Sequence, residues 1–171
     1  LVTFVLRRQT EDSIAQAFAA LQMVLDRGDG SAYARHVLLD RLRPGSAVPD
    51  YLFGVTLDDN TVTNASNYSL ARALGIPHVG AQVRPVVGLP FSSETPPLMG
   101  NWEGVATAGL LQYDVIREGV EVVTATHTNM PTSDLARSSI GSFLSSHFDD
   151  GVATLVDPYA EAGLAHGLPT P

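Results

Sequence analysis

The chain contains no cysteine, so neither a disulfide framework nor a thiolate metal site is open to it, and its redox compartment is unreadable from this source. Lysine is absent too, and all ten positive charges are arginine. Charge of either sign is sparse, at 16% of residues, and acids outnumber bases to leave a net charge of −8. A chain with that balance repels polyanions as a whole, which weighs against a dedicated DNA-binding domain while leaving room for a local arginine patch. No apolar run approaches the length of a membrane span, and residues 1–6, followed at once by Arg7 and Arg8, are too short for a signal peptide.

Motifs that carry chemistry are also scarce. Histidines 36, 78, 127, 147 and 166 are scattered, with no His-Glu-x-x-His and no pair at helical spacing. His147 beside Asp149 and Asp150 reads as a helix C-terminus running into a turn. Asp58 and Asp59 fall at the tip of an expected hairpin, where turn geometry accounts for them. Serines 138, 139, 145 and 146 lack a Gly-x-Ser-x-Gly elbow, and Gly28-x-Gly30 lacks the third glycine of a phosphate loop. The expectation is therefore no catalytic residue, no cofactor, no metal and no enzyme, although a site assembled from distant residues leaves no such trace.

What is present is enough apolar material for a core: 44% hydrophobic residues in 171, the size of one domain. Residues 1–6 are β-rich and read as a strand. Within 10–26 Phe18, Leu21, Met23 and Leu25 partly alternate, but Ile14, Ala17, Phe18, Leu21, Val24 and Leu25 fit helical spacing better, so the run reads as a helix, and 31–43 fits helix or strand. The run 51–57 reads as the first arm of a β-hairpin, turning at Asp58-Asp59-Asn60 into 61–63. Residues 67–74 suit a short helix or a strand. The stretch 77–101, rich in proline and glycine, spells loops around one short strand at 82–87. A second hairpin follows, 105–116 with 120–128, across Arg117-Glu118-Gly119.

The last third is the most sharply patterned. The alternating, β-branched run 120–128 reads as a strand. Thr132, Ser133 and Asp134 are cap residues for an amphipathic helix over about 133–148, and Val152, Leu155, Val156 and Tyr159 mark a second short helix closed by Pro158. A strand feeding two helices with one greasy side needs a surface to lie across. Leu135, Ile140, Phe143, Leu144 and Phe148 are the candidates to meet it. The whole reads as a single α+β domain over 1–171. Residues 1–130 are mainly β, 131–160 form a helical clasp and 161–171 a tail.

The succession Val122-Val123-Thr124-Ala125-Thr126-His127-Thr128-Asn129, Asp134-Leu135-Ala136-Arg137, Phe143-Leu144-Ser145-Ser146 and Leu155-Val156-Asp157-Pro158-Tyr159 resembles the end of the coat proteins of single-stranded RNA bacteriophages. The resemblance covers about the last forty residues in order. Asn67-Tyr68-Ser69-Leu70-Ala71-Arg72 is similar in type to that family's central RNA-facing strand. It implies an antiparallel sheet whose C-terminal helices pack across a dimer partner. It further implies a shell assembled in a host cytoplasm, self-association as the main partnership, weak contact with single-stranded RNA, and no membrane. Arg72, Tyr68, Thr124, Thr126 and Thr128 are then the RNA-facing residues, and Leu135, Ile140, Phe143, Leu144 and Phe148 the dimer interface. The front half departs from that family by its helical patterning, the loop 77–101 by its length, and the charge by its acid excess, since phosphate neutralisation dominates RNA affinity. The alternative is a ligand-sensing domain of the PAS or Cache type in a bacterial signalling protein, whose opening hairpin the stretch 50–62 resembles. That alternative implies an apolar pocket.

Overall fold

In the computed structural model, which describes residues 10–167, the chain begins with α1 (Glu11–Leu25), capped by Thr10, whose hydroxyl accepts from the Ser13 amide. Asp29 caps α2 (Gly30–Leu38) through the Ser31 amide. β1 (Tyr51–Thr56) leads through a turn into α3 (Asn64–Leu74), which ends at Gly75, where φ is 76° and a side chain would be strained. The long loop then reaches β2 (Leu98–Met99), β3 (Ala108–Tyr113), β4 (Val115–Glu118) and β5 (Glu121–Thr124). A 3-10 turn (Met130–Thr132) precedes α4 (Asp134–Asp150), capped by Ser133, and β6 (Thr154–Leu155) and α5 (Pro158–Ala162) follow.

The class is α+β. Among the described residues the strands form three two-stranded ladders, of which β4–β5 and β2–β6 are antiparallel. The longest ladder is parallel: β1 runs beside β3 with Tyr51 opposite Ala108 and Thr56 opposite Tyr113. On the other edge of β3 the Val79 amide donates to the Leu110 carbonyl, so β3 is central. Every residue of β3 is buried, as a strand covered on both faces must be. On one face Val55, Ala108 and Leu110 pack with Ala34 and Leu38 of α2 and Ala71 and Leu74 of α3. On the other, Leu111 and Tyr113 pack with Leu135, Ala136 and Phe143 of α4. The result is three layers, two helices, a small sheet and one long helix.

Several sequence expectations are corrected. The 51–57 run is a strand, but its partner is β3 and not 61–63. The Asp59 carboxylate accepts from the amides of Thr61 and Val62, which curls the chain into α3 instead of folding it back. The second hairpin exists as β4–β5 with Gly119 at φ 61° in its turn. Its first arm is shorter than 105–116, because the chain breaks at Asp114 between β3 and β4, and its second arm stops at Thr124 instead of reaching 128. Residues 82–87 form loop, and 67–74 and 31–38 are helical. Pro158 opens the last helix and does not close one, its lost N–H being one of the donors a first turn leaves unpaired anyway. The strand expected at 1–6 lies outside the described residues.

α1 stands apart. It carries its helical stripe of Phe18, Leu21, Val24 and Leu25 as predicted, yet none of its residues is buried. No helix among the described residues is long and apolar enough to cross a membrane.

The centre of β3 is intolerant. A Cβ built on Gly109 would sit 2.7 Å from Val79 Cγ2 and 2.8 Å from Leu155 Cδ1. Gly109→Ala should cost about 1–3 kcal/mol in urea unfolding, the usual penalty for overpacking a closed core. Gly141→Ala, on α4 with open space around it, should cost nothing or stabilise.

Candidate functional site

Side chains alternate along a strand, so Leu52, Gly54 and Thr56 of β1 share one face. That face is only partly covered. Beyond Leu52 and Gly54 lies an apolar groove of about 390 Å³, walled by Tyr113, Met130, Ile140, Phe143 and Leu144. Beyond Gly54 and Thr56 lies a polar crevice of about 170 Å³, lined by Asp59, Asn67 and His127. The two meet at Gly54, Met130 and Pro131, which line both. The crevice opens at the carboxyl end of a parallel strand, the place where α/β sheets commonly bind ligands.

Asp59 anchors the polar end. Its Oδ1 accepts from the amides of Thr61 and Val62, both at 2.8 Å, and its Oδ2 lies 3.0 Å from His127 Nδ1. The Asp59 side chain is 7% exposed and that of His127 42%. Burial pushes this carboxyl upward, but the His127 hydrogen bond and the two amides outweigh it and hold it below the usual carboxylate range. A carboxylate only accepts, so Nδ1 of His127 carries the hydrogen of this contact. The loop bearing His127 is fixed in turn by Asn129, whose amide group binds the Thr126 amide, the Thr124 carbonyl and Glu118. Thr56 also borders the crevice, but it is 1% exposed and its hydroxyl, without a hydrogen-bond partner, is closed off from that space.

Asp58, next along, is drawn away from the crevice by Arg84, whose guanidinium also donates to the Leu57 carbonyl. Of the three other aspartate–histidine pairs, His36 with Asp40 is a 3.7 Å contact at the end of α2, and the remaining two also bind backbone amides. Asp50 binds the amides of Thr107 and Ala153 as well as His147, and Asp114 binds the Val115 and Gly167 amides as well as His166. Among the described residues no group of three or more histidines and acids is placed to hold a metal ion.

The residues expected to face RNA are not brought together. Tyr68 and Arg72 lie on α3, with the Tyr68 ring in the α2–α3 layer and the Arg72 Nε donating to the Val87 carbonyl at 2.8 Å. Thr124 ends β5 in the opposite layer, and Thr126 and Thr128, their hydroxyls 3.3 Å apart, belong to the turn that carries His127. The expected dimer stripe divides. Leu135 and Phe143 are 5% and 7% exposed and covered by the chain's own sheet, which corrects their placing between subunits, while Ile140, Leu144 and Phe148 are 46%, 49% and 81% exposed. α4 lies on its own sheet because β3 offers it an apolar face within reach of the same chain.

The pair that organises the crevice was missed in the sequence because Asp59 and His127 are 68 positions apart. Turn geometry does explain one oxygen of Asp59, but the other is free for the histidine.

His78 supplies a separate titration. It is fully buried, packs edge-on against Phe91, and neither ring nitrogen meets a well-formed hydrogen bond. Burial pushes its imidazole below the ordinary value, against a smaller opposing pull from the backbone at Ala81. The unfolded chain therefore binds a proton below pH ~6.5 that the folded chain refuses, and stability falls with pH at up to about 1.4 kcal/mol per unit until the folded value is reached. Asp59 and Asp114, both held low, add stability above pH ~4 that is lost on further acidification. Urea midpoints measured from pH 8 to 3 should show two limbs, with His78→Leu removing the upper one alone. An upper limb that survives this change would mean that His78 does not stay neutral in the fold.

No family model matches the chain, and no curated protein or solved structure proves similar to it.

Proposed function

We propose that the chain is a small-molecule-binding domain whose site is the groove and crevice along the outer face of β1. The junction of an apolar groove with a polar crevice carries this reading: Gly54, Met130 and Pro131 line both, and Asp59 and His127 stand at the polar end. Together the two cavities reach the volume of ordinary ligand sites, about 300–1,000 Å³, with the usual composition of a mainly apolar wall and a few converging polar groups. The function agrees with the ligand-sensing alternative in kind, although the parallel β1–β3 pair is not the hairpin which that alternative assumed.

The test is ligand-observed and methyl-detected NMR against a mixture of small amphipathic molecules. Binders should shift the Met130 methyl, and Ile140→Asp, which sets a carboxylate at the rim of the groove, should weaken them about tenfold to a hundredfold. Binders that leave Met130 unmoved, or that ignore the Ile140 change, would remove the site from consideration.

The second reading is the self-assembling RNA-phage coat subunit, and one observation favours it: two apolar surfaces are left uncovered, Phe18, Leu21, Val24 and Leu25 on α1, and Ile140, Leu144 and Phe148 on α4. Exposed stripes of this size mark association sites in soluble chains. In this reading Arg72 has a reduced part in RNA contact, since its Nε is engaged by the Val87 carbonyl. Size-exclusion chromatography with light scattering and dual-wavelength absorbance separates the two. Assembly predicts large particles carrying nucleic acid that Leu21→Asp or Phe148→Asp disperses, and a nucleic-acid-free monomer rules it out.

A further inference from the structure

The outer edge of β1 is unpaired. At the two ends of its ladder with β3 the Tyr51 amide donates to the Thr107 carbonyl and the Leu57 amide to the Tyr113 carbonyl. Alternate residues of a parallel strand bond to its partner, so Tyr51, Phe53 and Val55 turn their N–H and C=O groups to β3, while Leu52, Gly54 and Thr56 turn theirs away. No described residue hydrogen-bonds those outward groups. Thr56 is closed over, but Leu52 is half-buried and Gly54 exposed, which leaves two N–H and two C=O groups open beside the apolar groove. The far side of the sheet is paired, since the His78 amide donates to the Pro90 carbonyl and the Ser92 amide to the His78 carbonyl. An open edge of this kind takes up another strand.

The path of the chain says which strand. β1 reaches β3 by way of α3, which packs on the face of Val55, Ala108 and Leu110, and α2 packs on that same face. Crossovers between parallel strands keep one hand, so two that pass over the same face step across the sheet in the same direction. A strand that feeds α1, α2 and then β1 therefore belongs beside β1 on the side away from β3, which is the open edge. Ahead of α1 stands the run Leu1-Val2-Thr3-Phe4-Val5-Leu6, outside the described residues, whose composition is that of a strand. Two helices separate it from β1, the kind of connection that parallel pairing needs. Thr3 is its one polar residue, so both sides of the run are apolar. Both faces of β1 are apolar as well, with Leu52 toward the groove and Tyr51 and Phe53 toward the α2–α3 layer.

We propose that the open edge of β1 is the seat of the run 1–6 of the same chain, added as a parallel strand. Each outward residue of β1 bonds to the two neighbours of the residue opposite it, so Leu52 and Gly54 together ask for about five residues of partner. The apolar run supplies that length, and Arg7 follows it where Thr56 closes the edge. Seated there, the run walls the groove on the side of β1 that the described residues leave open. The inference goes beyond the ligand-site reading and does not rest on it, because the edge is filled whether or not the groove takes a small molecule.

Hydrogen exchange followed by NMR on the full chain tests it. The amides of Leu52 and Gly54 should exchange about tenfold or more slower than that of Val120, which is 97% exposed in the β4–β5 turn. Val5→Pro, which removes a backbone donor from the run, and Phe4→Asp, which sets a carboxylate on its apolar side, should each return both amides to the rate of Val120. The Val55 amide, which faces β3, should keep its protection in both variants and so show that the sheet is intact. Protection should also be unchanged over about a hundredfold range of protein concentration, because the strand comes from the same chain. Leu52 and Gly54 amides as fast as Val120 in the unchanged protein, protection that survives both substitutions, or protection seen only at high concentration each overturns the assignment. None of these readouts involves a ligand, so the ligand-site reading stands or falls separately.

Discussion

The complete burial of β3 is the constraint from which the rest of the arrangement follows. A strand covered on both faces must pair its edges and tie off its ends, since no water reaches its polar backbone. β1 supplies one edge and the Val79 backbone the other. The ends are closed by aspartates. Asp50 receives the amides of Thr107, just before β3, and of Ala153, just after α4, so one carboxylate joins the start of the sheet to the far end of the long helix. Asp114 turns the chain from β3 into β4, and the Tyr159 hydroxyl accepts its amide while donating to the Val115 carbonyl. Each of these carboxylates also meets a histidine, but in both cases the backbone amides account for its position.

Asp59 follows the same pattern at the end of β1 and then departs from it. Its two backbone partners lie in its own turn, so it holds no distant segment by main-chain hydrogen bonds. The long-range contact is the histidine alone, and that histidine is nearly half exposed above a cavity. In the other two pairs the imidazole completes a structural knot; here it is the product of the arrangement. Its ring stands over the crevice, held from one side by the Asp59 carboxylate.

Local pattern was legible wherever a segment's own residues decide its conformation. The helix over 133–148 is fixed by Ser133 as cap and by apolar residues at helical spacing, and it appears as Asp134–Asp150. The turn at Gly119 was equally plain, whereas the stripe of α1 had a partly alternating pattern to compete with. Pairing was not legible. The run 51–57 looks the same whether its partner is three residues away or fifty, and proximity favoured the hairpin. Only the Asx turn at Asp59, invisible to periodicity, sends the chain into α3 and leaves β1 for β3. The same misreading hid the site. With 51–57 as a hairpin arm, Asp59 is a loop tip; with β1 as a parallel strand, it stands at the carboxyl end where sites gather. Leu135 and Phe143 show the converse limit, since a greasy stripe declares that it will be covered without saying by which chain.

The two apolar surfaces left open differ in form, and the difference separates the two functional readings. The stripe of α1 is convex, on the outside of a helix none of whose residues is buried, with Phe18, Leu21 and Val24 between half and seven-tenths exposed. A convex apolar surface satisfies itself against another large surface, because a small ligand covers too little of it. The face of α4 is concave where it meets β1, so Ile140 and Leu144 are exposed only along one wall of a groove whose floor is Leu52 and Tyr113. A groove of that size surrounds a small molecule on several sides and removes most of its apolar area from water. Ile140 and Leu144 are common to both proposals, so an assembly that covered them would close the groove, whereas one through the α1 stripe alone would use residues that the groove does not. α2 packs beneath one face of the sheet, and the groove lies on the other.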